Sequence, residues 1–182
     1  MSRDDAHTSQ PMSAAHRIDT VALTAWLSAH LPGFEGPLSL QTFQGGQSNP
    51  TYQIITPKRN YVLRTKPGPV AKLLPSAHAI EREFKVMHGL YGTDVPVPQM
   101  HVLCEDESII GRAFYIMEFV QGRVLWDQTL PGLHNAERSV IYDEMNRVIA
   151  ALHTVKFAER GLESYGRPGN YFERQIGRWT KQ

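Results

Sequence analysis

The sequence predicts an α+β fold: a five-stranded antiparallel sheet with one main helix, followed by a helical segment. Three observations carry this. Between Leu38 and Thr65, short strand-like runs are separated by Gly, Pro and Asn clusters too short for a parallel crossover. From Ala77 to Leu90, Ile80, Phe84, Met87 and Leu90 recur at helical spacing. Beyond Gly122 the pattern is helical, with Val140, Ile141, Met145, Val148, Ile149 and Leu152 forming one apolar stripe.

Taken in order, residues 1–17 hold one large apolar residue, Met12, and read as a flexible tail. Asp19 or Thr20 caps a short amphipathic helix through Val21, Leu23, Trp26, Leu27 and Leu31, which Pro32-Gly33 ends. Strands follow at Leu38–Phe43, Thr51–Ile55 and Tyr61–Thr65, joined as an antiparallel meander. A loop with Pro67, Gly68, Pro69 and Pro75 leads to the Ala77–Leu90 helix. Two further strands, Gln99–Cys104 and Arg112–Val120, flank the polar turn Glu105-Asp106-Glu107-Ser108. Asn135 caps the long apolar-striped helix, and Asn170 caps a last stretch carrying Phe172, Ile176 and Trp179.

Composition excludes several function classes. The 182 residues carry 19 Lys plus Arg against 18 Asp plus Glu, a formal net charge of +1 with no basic run, so nucleic acid is a poor partner. The single cysteine, Cys104, excludes an internal disulfide framework and a cysteine-clustered zinc site, and a cytoplasmic location is expected. No window approaches the roughly 20 apolar residues that span a bilayer, and acids stand where a signal peptide would be basic, so no membrane association is expected.

Four features carry chemistry. In Gln44-Gly45-Gly46-Gln47-Ser48-Asn49-Pro50-Thr51, the glycines and Asn49 can turn backbone N–H groups toward an anion, although a hairpin loop uses glycines for positive φ alone. Strand periodicity puts Tyr61, Leu63 and Thr65 on one face and Val62, Arg64 and Lys66 on the other, so Arg64 is either a mid-sheet cation seeking an anion or part of a solvated face. In Glu81-Arg82-Glu83, Glu83 is the carboxylate chosen to hold Arg64, the alternative being a solvated helix face. In Phe114–Gly122 a mostly apolar strand runs out where the fold changes class. Its end backbone can bond a flat heterocycle beside Met117, or it is simply a core strand.

The four in this order resemble the nucleotide-binding lobe of the protein-kinase-like superfamily. Within it, the chain is similar to the aminoglycoside phosphotransferase or choline kinase type, especially the branch associated with acyl-CoA dehydrogenases. The resemblance rests on Gly45–Tyr52, Tyr61–Arg64, Ser76–Glu83, Val95–Pro98, Phe114–Glu118 and Leu152-His153, although the loop is not the kinase G-x-G-x-x-G. It implies that Gly45, Gly46, Ser48 and Asn49 lie over the phosphates of ATP. Arg64 then stands at the usual kinase lysine position, Glu83 is its helix partner, and Met117 with the backbones of Glu118 and Val120 meets adenine. The implied organisation is a tail at 1–17, a nucleotide-binding lobe with a leading helix at 18–121, and a hinge exit with a partial helical lobe at 122–182.

The same resemblance implies phosphoryl transfer from ATP, with Mg²⁺ in the complete enzyme, to the hydroxyl of a small molecule. That chemistry requires an aspartate for the attacking hydroxyl and oxygen ligands for the metal. The family places these in a His-Gly-Asp loop after the long helix, yet residues 144–182 contain no aspartate. Asp127 and Asp143 fit no such motif, and His153 reads as a helix-end packing residue. We therefore expect no catalytic or metal-ligating residue in this chain. The expected chain is an amino-terminal fragment that binds nucleotide without turnover, or else a non-catalytic nucleotide-binding or regulatory module. The stripe from Val140 to Leu152 is expected to form an exposed apolar patch that favours self-association.

Overall fold

A computed structural model describes residues 9–10, 18–43, 49–67, 79–166 and 169–180. Among these, the strands are β1 (Ser9–Gln10), β2 (Ser39–Phe43), β3 (Thr51–Ile55), β4 (Tyr61–Thr65), β5 (Met100–Cys104) and β6 (Phe114–Glu118). The helices are α1 (Thr20–His30), α2 (Ile80–Leu90), α3 (Asn135–Thr154) and α4 (Tyr171–Trp179).

One antiparallel sheet runs in the order β1-β2-β3-β4-β6-β5. The five expected strands are all there, and β2-β3-β4 is the expected meander. β1 adds a sixth, pairing Ser9 with Phe43 and Gln10 with Thr42, in a segment expected to be tail throughout. A two-residue edge strand is held by backbone groups, so it leaves no apolar pattern to read.

α1 begins where Asp19 accepts hydrogen bonds from the Val21 and Ala22 amides at 2.9 and 3.0 Å. Its buried Leu23 and Leu27 pack on one sheet face with Tyr52, Ile54, Tyr61, Leu63, Phe114 and Ile116. Trp26 meets the Phe114 ring edge-on at 5.0 Å. The opposite face carries α2, whose Ile80, Phe84 and Met87 pack with Met100, Ala113, Tyr115, Leu103 and Met117. The sheet is thus covered on both sides, and β6, held between β4 and the edge strand β5, feeds the connection to the helical part.

In α3 and α4 no described residue is buried. The stripe expected to form a patch is exposed at Val140, Met145, Ile149 and Leu152, and Phe172, Ile176 and Trp179 of α4 are exposed as well. His153, expected to pack, is exposed with the rest of its turn, because no described element covers that side of α3. His134 rather than Asn135 occupies the cap position of α3, and the Glu137 carboxylate accepts its amide at 2.8 Å. Asn170 precedes α4 as expected, but its side chain makes no cap bond. No helix among the described residues is long and apolar enough to cross a membrane.

Candidate functional site

The register of the central strands builds the site. Arg64 on β4 stands opposite Thr51 of β3 on one side and Tyr115 of β6 on the other. α2 crosses this face and brings Glu83 over the strand. Arg64 Nε donates to Glu83 Oε2 at 2.6 Å and Nη2 donates to Oε1 at 3.4 Å, a forked pairing, while Nη1 donates to Thr51 Oγ1 at 2.9 Å. Glu83 also accepts from the Tyr115 hydroxyl at 3.1 Å and from Asn49 Nδ2 at 2.7 Å. Beside this pair Lys66, just past the end of β4, meets Glu81 at 3.3 Å, so both cations have a carboxylate on α2.

The electrostatics follow from this geometry. The Arg64 and Glu83 side chains are 28% and 33% exposed. Burial alone would push the Glu83 carboxyl up, but the hydrogen bond and charge of Arg64, with donors from Tyr115 and Asn49, together hold it below its ordinary value. Burial likewise opposes the charge on Arg64, and Glu83 outweighs it and raises the guanidinium. The Tyr115 hydroxyl is pushed up, first by burial and then by the neighbouring Glu83 charge, so it stays protonated as a donor.

Gly45, Gly46 and Ser48, expected over phosphate, lie outside the described residues. Asn49 is described and is 2% exposed, with its amide held on Glu83. Of the strand-end residues, Met117 is half-buried beside Tyr115 in the α2-side cluster. Glu118 donates its amide to the Gln99 carbonyl at 2.9 Å, and its carboxylate accepts the Gln99 amide at 3.1 Å, which ties the end of β6 to the start of β5. Val120 is exposed. Sequence reasoning passed over Thr51 and Tyr115, whose signal is their position directly across from Arg64. It also passed over Phe43 and Phe119, whose rings stack at 6.4 Å between the end of β2 and the chain leaving β6.

This donor set suits a phosphate better than a metal. Three of the five guanidinium N–H groups of Arg64 are engaged by Glu83 and Thr51, which leaves donor capacity on a partly exposed cation. Among the described residues no cluster of three or more His, Cys, Asp or Glu side chains could hold a metal ion. Asp127 is instead spent on a local turn, accepting from the Thr129 amide at 2.8 Å and hydroxyl at 2.7 Å. Cys104 is buried, its thiol donates to the Asp106 carbonyl, and burial raises its pKa, as suits a structural strand residue.

The chain is similar to known proteins over most of its length. A crystal structure of "a putative aminoglycoside phosphotransferase" from Ralstonia eutropha superposes with a TM-score of 0.79 at 63% identity, covering 91% of this chain and 47% of that one. Acyl-CoA dehydrogenase family member 10 of Mus musculus is 50% identical over 81% of this chain and 14% of its own length. Acyl-CoA dehydrogenase family member 11 of Homo sapiens is 44% identical over 92% of this chain and 22% of its own length. The chain therefore spans under a quarter of these curated relatives and about half of the solved structure. Residues 39–182 match the family profile of the phosphotransferase enzymes, a kinase-like group, and the chain belongs to that phosphotransferase enzyme family.

Proposed function

We propose that residues 18–121 form an ATP-binding lobe in which Arg64, held by Glu83, meets the nucleotide phosphates. The observation that carries this reading is the Arg64–Glu83 fork, because a half-buried cation fixed by a helix carboxylate, with donors to spare, is a ready partner for an anion. Gly45, Gly46 and Ser48 are assigned to the phosphates, and the Glu118 carbonyl and Val120 amide to the adenine edge, with Met117 on its apolar side. Asn49 is assigned a supporting part, steadying Glu83. The parent reaction is phosphoryl transfer to the hydroxyl of a small molecule, in which Mg²⁺ would be held by oxygen ligands other than the described residues.

The chain by itself binds nucleotide and does not turn it over, since residues 144–182 contain no aspartate to orient an acceptor hydroxyl. That same observation favours a second reading, a non-catalytic nucleotide-binding or regulatory module, which shares the binding step. A thermal-shift titration of the 182-residue chain with Mg²⁺-ATP tests both. The expected outcome is a rising midpoint with nucleotide, lost in Arg64→Ala. A flat titration overturns the binding reading. Phosphate release by the chain that Asp127→Asn abolishes overturns the inactive one.

A further inference from the structure

α2 carries Glu83, yet its own start is weakly fixed: Ala79 occupies the cap position and offers no side-chain acceptor. Its outer side is held instead by residues that follow α3. There Phe157–Arg160 makes a 3-10 turn, Gly161 reverses the chain at φ 68°, and the next residues run along α2. Arg82 lays its guanidinium 4.3 Å from the Tyr165 ring centroid and donates Nη2 to the Tyr165 carbonyl at 2.9 Å. Three residues on, Lys85 Nζ donates to Ser164 Oγ at 3.0 Å. Four further on stands Gly89, where a Cβ would lie 2.9 Å from the Arg160 carbonyl oxygen and 3.0 Å from Leu162 Cγ.

These three α2 positions share one stripe of the helix, distinct from the Ile80, Phe84 and Met87 stripe that faces the sheet. The absence of a side chain at Gly89 is what permits the close approach. Leu162 and Leu130 are the buried apolar residues of the described part of 122–182, so the burial of Leu162 marks a built contact. From α3, Arg147 Nη1 also reaches the Asp94 carbonyl at 3.3 Å, just past the end of α2.

We propose that Phe157–Tyr165 is a positioning clamp on α2, which sets Glu83 against Arg64 from the far side of the helix. Arg82, Gly89 and Leu162 are then positioning residues that never touch nucleotide. The effect on binding rests on the ATP reading above, whereas the effect on the Arg64–Glu83 pair does not. The helical segment and the nucleotide lobe are coupled through this contact, so ordering one side favours the other.

Two variants test it in the full chain. Gly89→Ala raises intrinsic helix propensity while pushing the segment off, so a role confined to helix stability and a positioning role predict opposite changes. Leu162→Ala removes the anchor and leaves α2 untouched. Three readouts apply to each: amide exchange over 80–90 and 157–165, the Glu83 carboxyl titration followed by NMR, and Mg²⁺-ATP affinity. The clamp predicts about tenfold faster exchange in both segments, a Glu83 titration moved up toward the ordinary carboxylate range, and about tenfold weaker nucleotide binding. An unchanged Glu83 titration in both variants, or a wild-type segment 157–165 without protection, overturns it. A wild-type chain that ignores ATP but whose Glu83 titration shifts in the variants sinks the nucleotide reading and leaves the clamp standing.

Discussion

Glu83 draws its donors from three separate stretches of chain: Asn49 before β3, Arg64 on β4 and Tyr115 on β6. A carboxylate so surrounded stabilises the fold only while it is ionised. Its folded pKa lies below the ordinary value, so its contribution is present above the unfolded-state pKa and is lost as pH falls through the lowered one. Acid-unfolding curves of wild type and Glu83→Gln are therefore expected to differ in slope below the ordinary carboxylate pKa, with the variant flatter; parallel curves would refute this. Arg64→Ala, which leaves the carboxylate half-buried without its cation, is expected to lower the unfolding free energy by about 1–3 kcal/mol in urea titrations. Tyr115→Phe removes one donor and is expected to cost about 1 kcal/mol, and it should raise the Glu83 titration in NMR. Arg64 and Glu83 were legible in the sequence because strand periodicity and charge type point to them. Thr51 and Tyr115 were not, because their part depends on cross-strand register, which no local pattern encodes.

At the level of elements, the strands were readable because each is a short apolar run between Gly, Pro or Asn clusters, and their limits moved by no more than two residues. α1 was readable for a similar reason, since Asp19 is both a cap residue by type and the group that accepts from the first turn. β1 was invisible because backbone pairing carries it. The cap of α3 went astray by one residue because the His134 amide donates to the Glu137 carboxylate, which closes a capping box one residue ahead of Asn135. The packing of α1 gives its own prediction. Leu27→Ala opens a hole beneath fully buried neighbours and is expected to cost about 2–5 kcal/mol, against about 1 kcal/mol for Asp19→Ala, both from denaturant titrations. Equal costs would mean that the cap rather than the sheet contact holds the helix.

On the scale of the whole molecule, burial is lopsided. The sheet with α1 and α2 holds nearly all the core, whereas α3 and α4 present Met145, Ile149, Phe172 and Trp179 to the outside. An apolar surface of that extent binds dyes and promotes association. The 182-residue chain is expected to enhance the fluorescence of an apolar-surface dye and to sediment with a concentration-dependent mass. Met145→Lys with Ile149→Lys should reduce both, while changing unfolding free energy by no more than about 0.5 kcal/mol, because neither side chain is buried. A large loss of stability would show that these residues pack against something within the chain.

The last strand to appear in the sequence lies inside the sheet, between β4 and the edge strand β5. β5 pairs with no strand but β6, and β4 waits for β6 on its open side. A growing chain that has reached Arg112 can hold the β2-β3-β4 meander, but Leu23 and Leu27 still lack Phe114 and Ile116 beneath them, and β5 has nothing to pair with. Closure thus depends on contacts distant in sequence and arrives in one late step, with the emergence of five residues. Those same five end at Glu118, so the moment at which the lobe becomes a folded body is also the moment at which its exit toward the helical segment acquires a fixed direction.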